Sequence, residues 1–156
     1  MAAAFSGARK QVSPFSGSES GLGRTELVRA LDLLLVTERG CAKAAAASIR
    51  ETDDPGFLTV FERSGRCAAR HVEQLQAALV RLGAAPSVAI GPIYGAALSA
   101  GDLAERETLL FAAEEGIVRQ IDRLLAKVDD AALRTDLASM RDLHQTMLDQ
   151  PAYRSA

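Results

Sequence analysis

The sequence predicts an all-α fold in which four helices pack as two antiparallel hairpins joined by a long crossover. Three observations lead there. Four segments repeat apolar residues at steps of three and four, no segment alternates like a strand, and the uncharged stretch Gly83–Gly101 separates the second helix from the third.

Residues 1–23 are small, polar and rich in Gly and Ser, and they read as a disordered tail. The bundle is expected over 24–150, with 151–156 as a C-terminal tail. The first helix runs from about Thr25 to Glu51, with Leu27, Leu31, Leu34, Glu38, Cys41 and Ala45 on one face. Asp54-Pro55 starts the second, because Asp accepts from free amides and Pro suits the first helical position. Its inward residues are Phe61, Ala68, Val72, Leu75, Leu79 and Leu82, and Gly83 stops it. Asp102 and Glu105 have capping-box spacing at the start of the third, whose stripe is Leu103, Glu107, Leu110, Glu114, Ile117, Ile121 and Leu124. Asp129-Asp130 caps the fourth, with Leu133, Leu137, Met140, His144 and Met147 inward and Pro151 beyond its end. Short links within each pair make hairpins. The long connection can run a helix length, which allows the third helix to lie parallel to the second.

Composition narrows the function. Eighteen basic and twenty acidic residues give a net charge of −2, so no basic field invites nucleic acid. Gly83–Gly101 holds Pro86, Pro92 and four glycines, a poor membrane span. The N-terminus lacks an apolar signal core, which points to a cytoplasmic protein. No phosphate loop, paired-Cys zinc motif or Ser-His-Asp set is present, so no small-molecule substrate is identifiable.

Four polar residues interrupt the stripes or border them: Glu38, His71, Glu114 and His144. Isolated buried charges are costly and call for a partner or a metal. In an antiparallel hairpin, two residues are level when their midpoint falls in the turn. Glu38 and His71 have theirs between Asp54 and Pro55, and Glu114 and His144 have theirs at Asp129. Two Glu–His pairs are therefore expected to face one another in mid-bundle.

With these residues in this order, the chain resembles the ferritin-like superfamily of di-iron and di-manganese carboxylate proteins. The segment RLGAAPS followed by Tyr94 looks similar to a bacterial branch of it. The resemblance implies a metal site built from Glu38, His71, Glu114 and His144. The family's glutamate three residues before each histidine is replaced here by Ala68 and Arg141. The remaining set suits one ion of Fe, Mn or Zn, or none, better than two. The resemblance thus implies an eroded site in a homodimeric bundle acting through protein contacts or stress-related binding. A metal-binding protein or oxidoreductase with a mononuclear site is the alternative. Apolar crossover residues Val88, Ile90, Ile93 and Tyr94 add to the dimer expectation.

Two further expectations concern single residues. Arg141 is expected to turn inward and pair with Glu114 or Glu38, unless Met140 takes the inward position. Cys41 and Cys67 have their midpoint at Asp54 and are expected to be level. They read as small core residues, or as a thiol pair able to bind zinc or form a disulfide.

Overall fold

The computed structural model describes residues 21–150, so positions 1–20 of the tail expected at 1–23, and the tail expected at 151–156, lie outside the described residues. Described residues form four long helices and one short one, with no strand: α1 (Arg24–Ile49), α2 (Pro55–Arg81), α3 (Ile93–Ser99), α4 (Leu103–Leu125) and α5 (Ala131–Leu148). Leu22 lies before α1 but already belongs to the fold. It packs against the core, and its amide donates to the Lys127 carbonyl at 3.3 Å.

The caps form where side-chain chemistry demands them. Asp54 Oδ1 accepts from the Gly56 and Phe57 amides at 2.8 and 3.1 Å. Asp102 Oδ1 accepts from Glu105 at 2.8 Å, and Asp130 Oδ1 accepts from Leu133 at 2.7 Å. Each bond satisfies helix-start donors that lack an intrahelical partner. Gly83, at φ +68°, ends α2 in a left-handed conformation. The Ala84 amide then reaches back to Leu79 and the Gly83 amide to Val80, both at 2.9 Å, a Schellman closure.

Contacts between helix ends fix the directions. Arg24 at the start of α1 bonds the Leu82 carbonyl just after α2, so these two are antiparallel. Arg106 at the start of α4 pairs with Glu51 just beyond α1 at 2.8 Å, and Gln120 late in α4 reaches Ala30 early in α1. Helix α4 is therefore antiparallel to α1 and parallel to α2. Arg81–Asp136 and Arg63–Gln150 set α5 antiparallel to α2.

The crossover that allows this topology is docked on α1. Asp32 Oδ1 accepts from the Ser87 amide at 2.8 Å, and the Val36 carbonyl accepts from Gly91 at 2.8 Å. Glycine is needed at this contact, since a Cβ on Gly91 would stand 2.7 Å from the Val36 carbonyl oxygen. The crossover also contains α3, which the sequence reading missed. Seven residues are too few to display a helical period, and only Ala97 among them is buried. Val88 and Ile90 are exposed, whereas Ile93 and Tyr94 pack against the core.

The core is aliphatic, built from Leu31, Leu34, Leu35, Leu75, Leu79, Ile117, Ile121, Leu137 and Met140 with Phe61. Into its middle project the polar residues described next. No helix among the described residues is long and apolar enough to cross a membrane.

Candidate metal centre

Each long helix delivers polar side chains to one buried level. From α1 comes Glu38; from α2, Ser64, Cys67 and His71; from α4, Glu114; from α5, His144. Glu38 and His71 are wholly buried, and His144 and Glu114 nearly so. His71, placed by the sequence only at the edge of its stripe, is drawn fully inside. The expected pairs meet: His71 Nδ1 is 3.0 Å from Glu38 Oε1, and His144 Nδ1 is 3.6 Å from Glu114 Oε2.

A third contact joins the pairs. His144 Nε2 lies 2.8 Å from Glu38 Oε1 and 3.0 Å from His71 Nδ1. One carboxylate oxygen and two ring nitrogens thus form a triangle with edges of 2.8, 3.0 and 3.0 Å. A ring nitrogen carries either one hydrogen or one lone pair. If one of the two nitrogens is protonated, the other turns its lone pair toward Glu38 or toward a shared donor. If both are protonated, two N–H groups oppose across the N···N contact. No placement of protons satisfies all three contacts. A single cation satisfies them together, since donor atoms bonded to one metal at about 2.1 Å stand about 3.0 to 3.4 Å apart for angles from the right angle to the tetrahedral one.

Glu114 stands differently. It lies beside Nδ1, the ring nitrogen of His144 that faces away from the triangle, and its Oε1 accepts from Ser64 Oγ at 2.7 Å. At 3.6 Å this is an ion-pair separation and not a hydrogen bond, so Glu114 acts on His144 as a nearby negative charge, and His144 Nδ1 is buried without a hydrogen-bond partner. Ser64 was absent from the sequence reading. Its position three after Phe61 and four before Ala68 puts it on the stripe and could have revealed it.

The electrostatics follow from burial and proximity. Burial alone would lower the His144 pKa, but Glu114 and Glu38 outweigh it and hold the group at about 9. Burial opposes charge on Glu38 too, yet bonds to His144 and His71 keep its carboxyl below the ordinary range. Glu38 Oε2 has no hydrogen-bond partner although it is buried, a costly condition for a carboxylate oxygen. Among the described residues, the donor set fits a divalent cation: one anionic oxygen, two imidazoles and an unsatisfied buried oxygen.

Cys67, one helical turn before His71, borders this cluster. Its Sγ is 3.7 Å from His71 Nδ1 and 3.8 Å from Nε2, and it is half-buried. Burial, reinforced by Glu38 and Glu114, pushes its thiol up to about 12. Cys41 is buried, and the same influences raise its thiol well above the usual range. Both cysteines are free, with no disulfide between them.

Arg141 does not enter the core. Its Nε bonds Asp122 Oδ1 at 2.6 Å and its Nη1 reaches Asp142 at 3.3 Å, with the side chain 39% exposed. Met140 and His144, four residues apart, fill the inward face of α5, so Arg141 is rotated about 100° away. The buried arginine is instead Arg106, near the start of α4. Its side chain closes the bundle end against Glu51.

Helices and core together define an all-α protein with a buried histidine–glutamate cluster. Residues 25–152 match the family described as a domain of unknown function, DUF6306, and the chain belongs to that family. No curated protein and no solved structure matches it.

Proposed function

We propose that this is a ferritin-like bundle that binds one divalent metal ion in its core, through Glu38, His71 and His144, with Glu114 as a buried negative charge beside His144. The single observation that carries the reading is the triangle of Glu38 Oε1, His71 Nδ1 and His144 Nε2, whose contacts no arrangement of protons satisfies. The antiparallel hairpins and the docked crossover support the ferritin-like architecture, as does the order of the four polar residues along the chain.

A second ion has little support. Ala68 offers no ligand, and Arg141 is committed to Asp122. One cation against Glu38 and Glu114 is close to electrically balanced, whereas two would leave excess positive charge in an apolar interior. When bound, the ion supplies Lewis acidity and, if it is iron or manganese, one-electron chemistry. The chain's own residues do the rest. Glu38 neutralises charge, His71 and His144 present nitrogen lone pairs, and the surrounding leucines exclude water. Homodimerisation belongs to the same proposal, with exposed Leu33, Val88 and Ile90 as the surface to cover.

The test is metal content and thermal stability of the untagged chain, purified without chelators under reducing, oxygen-free conditions. About one equivalent of Fe, Mn or Zn per chain is expected, reduced severalfold in His71→Ala and His144→Ala. A metal-free protein whose melting point is unmoved by all three ions would defeat the reading. Light scattering on the same sample reports the dimer.

A further inference from the structure

Metal binding at the triangle leaves Cys67 unexplained. It is half-buried where its neighbours are sealed, and it sits at the edge of a cluster of ligand-type atoms. Cys67 Sγ and a ring nitrogen from each of His71 and His144 all lie within 4.8 Å of one another. Residues four apart on a helix share a face, so the backbone of α2 aims Cys67 and His71 at the same point. The same spacing lets two residues of one helix bind one zinc ion.

The sulfur is poorly used without an ion. At 3.7 and 3.8 Å from the two ring nitrogens of His71, it is aimed at neither, and a thiol is a weak donor. These separations suit shared coordination better. Nitrogen and sulfur ligands of tetrahedral zinc, with bonds of about 2.0 and 2.3 Å, stand about 3.5 Å apart.

We propose that Cys67 is the fourth ligand of the core site, joining Glu38, His71 and His144, and that it makes the site selective for zinc over manganese and iron(II). This rests on the metal reading of the core given above and extends it. On binding, the Cys67 S–H bond gives its proton to solvent as the sulfur–metal bond forms. One thiolate, one carboxylate and two neutral imidazoles then balance a divalent ion within the ligand set, while Glu114 lies outside it and keeps the hydrogen bond it accepts from Ser64. A soft sulfur raises affinity for zinc, whereas hard manganese prefers oxygen. Cys67 is also the part-exposed member of the set, which places the ligand best able to capture an incoming ion nearest solvent.

The experiment uses the untagged full chain, stripped by chelator and reloaded with Co²⁺ as a spectroscopic stand-in for zinc, beside Cys67→Ser and Cys41→Ser. Circular dichroism confirms that each variant is folded. Wild type and Cys41→Ser are expected to show a thiolate-to-cobalt charge-transfer band that Cys67→Ser lacks. In competition titrations Cys67→Ser should lose more than about tenfold in zinc affinity while manganese affinity changes less than about threefold. Identical cobalt spectra and zinc affinities in wild type and Cys67→Ser would overturn the thiolate ligand and leave the three-residue site standing. Loss of the band in Cys41→Ser instead would also overturn it. A wild type that takes up neither Co²⁺, Zn²⁺ nor Mn²⁺ would overturn both readings.

Discussion

His71 Nδ1 and His144 Nε2 face each other at 3.0 Å across the core, from helices that are not neighbours in the chain. Neither nitrogen is free to ignore the other, because Glu38 Oε1 stands within 3.0 Å of both. The resulting competition between a proton and a cation for one small space gives the protein its most accessible signature.

Stability of the metal-free chain should depend on pH through His144. Its folded pKa is about 9 against an ordinary value of 6.5, so folding favours the protonated form. That contribution is complete below about pH 6.5 and disappears as pH rises through about 9, on the order of 3 kcal/mol in all. Glu38 works the other way, since its lowered pKa adds stability above the ordinary carboxylate value that is lost in acid. Chemical denaturation of stripped protein should therefore show a maximum near pH 5–6.5 and a fall toward pH 9. A flat profile from pH 6 to 9 would contradict the protonated His144.

Metal affinity should run in the opposite sense. A cation must displace the proton from His144, so zinc binding should tighten at least about tenfold per pH unit up to about pH 9 and less steeply above it. With Cys67 as a ligand the rise continues above pH 9, because its thiol, held up to about 12, also gives up a proton. Titration with a competing chelator at several pH values measures this slope. A pH-independent affinity would exclude His144 as a ligand.

Glu38→Ala should destabilise the metal-free chain by roughly 3–5 kcal/mol, because it strands a buried His144 cation. Replacing Glu38, His71 and His144 together by leucine removes all the charges and should cost far less, or stabilise the fold, while abolishing metal binding. Urea midpoints of the two variants provide the comparison. A triple variant less stable than the single one would mean that the polar cluster holds the bundle together.

Arg141→Ala should leave the urea midpoint close to that of wild type, as expected for an exposed ion pair screened by solvent. The side chain pairs with Asp122 and Asp142 in contact with water. A large drop in the midpoint would instead indicate an arginine buried against Glu114 or Glu38.

Gly91→Ala should cost about 1–3 kcal/mol, as overpacking does, because the new methyl meets the Val36 carbonyl oxygen at 2.7 Å and that atom is backbone. Gly95→Ala, with nothing within 4 Å of its would-be Cβ, should leave the melting point nearly unchanged. Equal effects at the two positions would argue against the docked crossover.

The sequence by itself determined the four long helices, the caps of α2, α4 and α5, and the level of the polar residues. Helical period and Asp–Pro or Asp–Asp starts are local signals, and an antiparallel hairpin converts sequence midpoints into spatial register. Hence the midpoints alone place Glu38 beside His71 and Glu114 beside His144. Tertiary structure alone decided what lies between the hairpins. How far α5 closes on α1 depends on packing across the core, and that sets His144 on Glu38 while leaving Glu114 behind the ring. Side-chain direction decided Arg141. A residue 100° from the stripe can turn either way, and the volume already filled by Met140 and His144 sent it to the acidic surface of α4. The short helix α3 belongs to the same category. Its residues carry too little period to announce a helix, and it appears in a crossover tied to α1 by the Gly91–Val36 bond.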